Sequence, residues 1–220
     1  MSRGKNVKTD LLGRLGAKEI SKAELFQLVE SDFSLISALL EGTDSSKATI
    51  RYGCASVLMN LSEKHPDKLY PYFDNFIALL DSKFRILTWS AMAIIANLTA
   101  VDVDCKFDVK FDRYYSFLGC EYMVTVANVV ANSAIIVSNK PYLADRILSE
   151  LLKVKNLNAS AHLTEECKLV IAEQAIKTFN TLINHTQNKQ ALLAFAQKYL
   201  ESSRASLKKE AQNFLKNFSD

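Results

Sequence analysis

One ten-residue pattern occurs twice in this chain. Tyr52–Leu61 reads YGCASVLMNL and Trp89–Leu98 reads WSAMAIIANL, 37 residues on. An aromatic residue, small residues, an aliphatic core and an Asn-Leu pair stand in matching places. A unit of this length cannot bury an apolar face alone, and periods in this range belong to stacked helical hairpins. The repeat predicts an all-α fold: a right-handed α-α superhelix (α-solenoid) of about four hairpins with capping helices at its ends. Arrays of this kind mostly offer surfaces for binding, and the repeat alone names no partner.

The rest of the composition agrees. With 6 Gly and 3 Pro in 220 residues, the chain has too few turn formers for anything but helices on short loops. The net charge of +3 is spread thinly, whereas a nucleic-acid binder concentrates Lys and Arg on one element. Cys54, Cys105, Cys120 and Cys167 lack metal-ligand spacing and read as reduced thiols. No segment has the ~20 apolar residues of a membrane span, and the first residues lack a signal-peptide pattern. A cytoplasmic protein is therefore expected, and the Asn-x-Ser/Thr triplets at Asn60, Asn97, Asn158, Asn184 and Asn217 carry no meaning for sugar attachment.

Local signals divide the chain into a flexible tail over 1–16 and a single repeat domain over 17–220. Ser21-Lys-Ala-Glu24 is a capping box that opens a helix through Val29. Asp32 starts another, which Gly42 is expected to stop. A long helix runs to Lys64, Pro66 starts the next, and Asp81-Ser82 makes a tight corner before the repeated helix over 83–99. Residues 100–112 read as a connection. Helices follow over 114–118 and 120–137, then one from Pro141, one from Thr164 to about His185, and two over 188–201 and 203–218. A loop over 156–163 separates the last three from the rest.

The hairpin LYPYFDNFIALLDSKFRILTWSAMAIIANL, from Leu69 to Leu98, resembles a HEAT repeat. It has a first helix rich in Leu, a corner acid at Asp81 and a second helix rich in Ala and aliphatic residues. The preceding unit is similar, with Asp44 before Ile50-Arg51. The resemblance covers roughly 32–201. It implies a scaffold or binding role, and an Arg51 that bonds to a ladder of Asp residues between neighbouring repeats. At the second unit Leu87 stands where that Arg is expected.

Four helices also share a weakly polar stripe at i, i+4, i+7 and i+11. Its members are Thr49, Gly53, Ser56 and Asn60; Ile86, Ser90, Ala93 and Asn97; Glu121, Thr125, Asn128 and Asn132; and Glu173, Lys177, Asn180 and Asn184. An amide both donates and accepts, so a ladder of Asn on an inner, concave wall can pair with the main chain of an extended peptide. The armadillo class, which the Asn60-Leu61 and Asn97-Leu98 pairs resemble, uses an Asn in this way beside a Trp one turn earlier. Here Trp89 stands a further turn back, and the peptide clamp that the resemblance implies is incomplete. Asn60, Trp89, Asn97, Glu121, Asn128, Asn132, Lys177, Asn180 and Asn184 are the candidate partner-binding residues. A structural role competes with this one: small residues let helices approach, and Asn bridges loops at helix ends. Aligning Pro66 with Pro141 also shifts the third stripe, so that Ile135 rather than Asn132 matches Asn60.

No hydrolase, metalloprotease, P-loop or dinucleotide motif occurs. Asp102, Asp104, Asp108 and Asp112 faintly echo a calcium loop, but Phe107 and Lys106 occupy positions that such a loop needs. No catalytic residue, metal or cofactor is expected. The expected function is non-enzymatic protein or peptide binding along the inner face. The alternative is a nucleic-acid-binding or DNA-repair-type HEAT-like protein on a glycosylase-like scaffold, which the stripe's single cation, Lys177, disfavours.

Overall fold

The computed structural model describes residues 11–218. Among them lie helices and 3-10 turns, with no strand beyond an isolated bridge between Ser160 and Leu163. The chain divides into two compact units, Met1–Lys106 and Phe107–Asp220. Of the expected tail, the first ten residues lie outside the described residues. Residues 11–16 are helical (α1) rather than loose, and they bury Leu11 and Leu15.

The first unit continues with α2 (Lys22–Ser31), α3 (Ile36–Thr43), α4 (Ala48–Lys64), α5 (Pro66–Leu69), α6 (Phe73–Leu79) and α7 (Arg85–Leu98). The capping box forms as the sequence predicts: the Glu24 amide donates to Ser21 Oγ at 3.2 Å and the Ser21 amide to Glu24 Oε2 at 2.8 Å. Pro66 opens α5, and Pro71 breaks it into a 3-10 turn over Tyr70–Tyr72 before α6. The two copies of the repeated pattern fall on α4 and α7, which pack against each other. Val57, Leu58 and Leu61 of α4 are buried, as are Ile94, Ile95 and Leu98 of α7 and Phe73 and Phe76 of α6.

Gly42 does not stop α3. It lies buried inside the helix, and a Cβ built there would stand 2.4 Å from Cys54 Sγ and 3.1 Å from Leu12 Cδ2. The residue is needed for close approach to α4 and not for a turn.

The second unit contains α8 (Lys106–Tyr115), α9 (Met123–Asn139), α10 (Ala144–Leu151), α11 (Glu165–Leu182), α12 (Lys189–Gln197) and α13 (Ala205–Phe218). α9 packs on α11, and α11 on α13. Most of α8 falls where a connection is expected from sequence. Its Asp and Lys residues mask a helical apolar row: Phe107, Phe111, Tyr114 and Tyr115 are all buried, with neighbouring rings 4.4–6.1 Å apart. Burial pushes the Tyr114 and Tyr115 phenols up.

Polar bonds recur about one repeat apart in sequence. In the first unit His65 Nε2 meets Glu30 Oε1 at 2.7 Å, Asn97 Nδ2 donates to Ser62 Oγ at 2.8 Å, and the Tyr70 hydroxyl donates to Asp102 Oδ1 at 2.7 Å. In the second, the Tyr142 hydroxyl donates to Asp108 Oδ1 at 2.9 Å and Arg146 Nη2 to Asp112 Oδ1 at 2.7 Å. These pairs lie 32–35 residues apart. Within each unit they tie one repeat to its neighbour.

Arg51 departs from the ladder that the HEAT resemblance implies. It is buried, and its Nη1 donates to the carbonyls of Ser45 at 2.7 Å and Ser46 at 3.3 Å. Its guanidinium carbon lies 3.6 Å from the Phe84 ring centroid. With an aromatic face alongside, the donors turn to corner carbonyls instead of a carboxylate.

Two glycines of the first unit are expected to respond oppositely to alanine. Gly42→Ala should destabilise by about 1–3 kcal/mol through overpacking, and by less when Cys54→Ala is also present. Gly13, helical and with nothing within 4 Å of a built Cβ, should gain about 0.5–1 kcal/mol as Gly13→Ala. Urea denaturation midpoints check both.

Candidate functional site

The long helices α4 and α7 bury one side in the unit's core and leave the other partly open. On α4 the open row is Thr49, Ser56 and Asn60, with Gly53 buried between them. A Cβ at Gly53 would meet Leu15 Cδ2 at 2.9 Å, so that position serves the packing of α1. On α7, Ile86 is exposed and Ser90, Ala93 and Asn97 are half-buried. No ionisable side chain stands at these eight positions.

The amides are held differently. Asn60 is exposed and lines a cleft of about 330 Å³ with Phe26, Gln27, Glu30, Glu63 and Lys64. Lys64 Nζ lies 4.7 Å from the Phe26 ring centroid. The contribution of α2 to this cleft is absent from the sequence reading, because helix pairing across a hairpin leaves no local signal. Asn97 is oriented by its bond to Ser62 Oγ, which leaves its carbonyl oxygen to accept. Trp89 is half-buried on the same helix.

In the second unit the expected stripe is corrected. Thr125 and Asn132 of α9 are buried, and Asn132 lies against the Tyr114 side chain. The open row is Val124, Asn128, Ala131 and Ile135, the register given by aligning Pro66 with Pro141. The two registers differ by three residues, which turns the row by about 60° around the helix, enough to carry Asn132 into the core. Asn128 is half-buried, with Nδ2 donating to the Val124 carbonyl at 2.8 Å, and Glu121 is exposed ahead of the helix.

On α11, Lys177 is exposed and Asn180 half-buried, its Nδ2 3.3 Å from the Lys177 carbonyl. Asn184 is exposed beyond the helix end. Glu173 is no surface group. It is buried, with Lys177 Nζ 2.7 Å from Oε1 and both Arg204 Nε, at 2.9 Å, and Ser206 Oγ, at 2.6 Å, on Oε2. Burial pushes its carboxyl up, but the hydrogen bonds from Lys177, Ser206 and Arg204 together hold it at about 2.

Several other chemistry-bearing side chains are engaged elsewhere. His65 pairs with Glu30, and His162 stacks on Tyr122 with ring centroids 4.7 Å apart. Asp102 is buried and accepts from the Lys106 amide at 2.8 Å, which ties down the start of α8. Lys140 Nζ stands 2.9 Å from Asp108 Oδ2. Among the described residues no group of three or more His, Cys, Asp or Glu is placed to hold a metal ion. The Cys54 thiol is pushed up to about 12 by burial and is unreactive near neutral pH.

Neither a protein-family model nor a curated relative matches the chain. Solved structures do match by fold. A designed armadillo repeat protein aligns with a TM-score of 0.57 at 17% identity, covering 96% of this chain and 93% of that one. A second engineered protein aligns with a TM-score of 0.54, also at 17% identity, covering 98% of this chain and 90% of that one. The likeness is one of fold: an all-α helical repeat of the armadillo type.

The Glu173 cluster yields a pH prediction. A carboxyl held below its unfolded value stabilises the fold fully above about pH 4.5 and loses that contribution as pH falls toward about 2. Glu173→Gln should therefore be destabilised at pH 7, on the order of 1–3 kcal/mol, because Arg204 and Lys177 lose their shared anion. The gap to the unmodified chain should narrow as pH falls through that window. Urea midpoints of both proteins from pH 7 to pH 3 check it.

Proposed function

We propose that this chain is a non-enzymatic protein-interaction module. The open rows of its long helices, α4 and α7 in the first unit and, taken separately, α9 and α11 in the second, each offer a surface for an extended segment of a protein partner. The observation that carries this reading is the first-unit row, which is uncharged, part-exposed and provided with amides at Asn60 and Asn97. Peptide main chain offers alternating donors and acceptors, and amide side chains answer both without selecting for charge. Asn97 is pre-oriented by Ser62, which lowers the entropy lost when it engages a ligand.

The armadillo-type fold supports the same reading, since such repeats typically present binding surfaces and lack catalysis. A phosphate-tracking groove needs several cations, and the row on α4 and α7 has none. No helix among the described residues is long and apolar enough to cross a membrane. A cytoplasmic setting is supported by the four free cysteines, one of them exposed.

Extended peptides selected from a display library on the full chain should lose affinity for Asn97→Ala and for Asn60→Ala. About 0.5–1.5 kcal/mol per lost hydrogen bond gives a weakening of roughly two- to tenfold. Matching thermal melts would show that the variants are folded. If the selected peptides bind both variants and the unmodified chain equally, the amide row is not the recognition surface.

A further inference from the structure

We propose that a cleft between the two helix corners of the first unit binds a phosphate group, independently of the open row. The cleft has a volume of about 610 Å³ and is lined by Ser45, Ser46, Arg51, Ser82, Lys83 and Phe84, among others. That volume lies in the range of small-ligand sites and exceeds what a bare ion needs.

Arg51 carries the argument. It is 5% exposed, none of its hydrogen bonds goes to a carboxylate, and its Nε has no hydrogen-bond partner. A buried cation is ordinarily paired with an anion. Phe84 at 3.6 Å and Tyr52 at 4.7 Å offer ring faces, which ease its burial but supply no counter-charge. The pairing anion has a place to sit, because the residue lines an open cleft.

Most of the remaining polar side chains of the lining can donate: Thr43, Ser45, Ser46, Ser82 and Lys83. Ser45 Oγ accepts from the Lys47 amide and Ser82 Oγ from the Phe84 amide, each at 3.2 Å, and each hydroxyl keeps its own hydrogen to donate. α4 and α7 begin here, and neither start is capped by a side chain. Their first amides and positive helix ends favour an anion. One group opposes: the Asp44 carboxylate also lines the cleft. Arg51 and Lys83 against Asp44 leave one net positive charge, and two helix ends add roughly half a charge each. The site thus matches a doubly charged phosphate better than a singly charged carboxylate.

The test is a titration of the isotope-labelled full chain, followed by amide shifts at fixed ionic strength, with inorganic phosphate, O-phosphoserine and acetate. Saturable shifts at Ser45, Ser46, Lys83 and Phe84 with the two phosphates and not with acetate are expected. Stronger binding of phosphoserine marks a monoester as the natural form, and stronger binding of inorganic phosphate marks the free ion. Asp44 and Lys83 are exposed, so their variants should fold. Lys83→Ala should weaken binding and Asp44→Asn tighten it, each by about threefold or more. Shifts that do not saturate, an equal response to acetate, or variants that move affinity in the same direction or not at all would overturn the site.

Discussion

Within each unit, the packing of one long helix against its counterpart in the next repeat, α4 on α7 and α9 on α11, is the contact on which the rest of that unit depends. A two-helix hairpin of this size cannot bury its apolar side alone. In the first unit, Val57, Leu58 and Leu61 on α4 and Ile94, Ile95 and Leu98 on α7 are buried. In the second, Val126, Val129 and Val130 on α9 and Ile171, Ala175 and Ile176 on α11 are buried in the same way. Small residues set the distance, as Gly42 does where Cys54 passes it. The polar bonds one repeat apart are weaker contributors, since a single hydrogen bond is worth a net of about 0.5–1.5 kcal/mol. Their effect is on register: Tyr70 with Asp102, or Tyr142 with Asp108, fixes which turn faces which.

Much of this is legible in the sequence, for identifiable reasons. The repeated pattern, the Ser21–Glu24 capping box and the start at Pro66 are local signals with local causes, and the structure carries all three. What escapes depends on partners distant in sequence. Gly42 reads as a helix stop until Cys54 is placed opposite it. The start of α8 reads as a connection because Asp, Lys and Arg together outnumber its four buried aromatics, although the spacing of those aromatics is helical. Asn132 shows how sensitive a surface reading is to register. It satisfies the repeat by one alignment, yet the alignment through Pro66 and Pro141 gives the row that is open, with Asn128 and Ile135. Arg51 follows the HEAT pattern in sequence and departs from it in contact, because Phe84 occupies its face.

Helix polarity explains why two kinds of chemistry separate within the first unit. At the starts of α4 and α7 the uncapped amides and Arg51 make a positive, donor-rich cleft. Along the sides of the same helices the axial dipole offers no net charge to a ligand, and the open row is neutral. Neutral amides suit peptide main chain, and the cleft suits an anion. Both surfaces rest on the same helix pair.

The most direct test of the interaction reading is an amide shift map of the full chain bound to a library-selected extended peptide. Saturable movement of the Asn60 and Asn97 side-chain amides is expected, with backbone shifts along α4 and α7. Unmoved Asn60 and Asn97 signals, with shifts confined to α3 and α6, would contradict it.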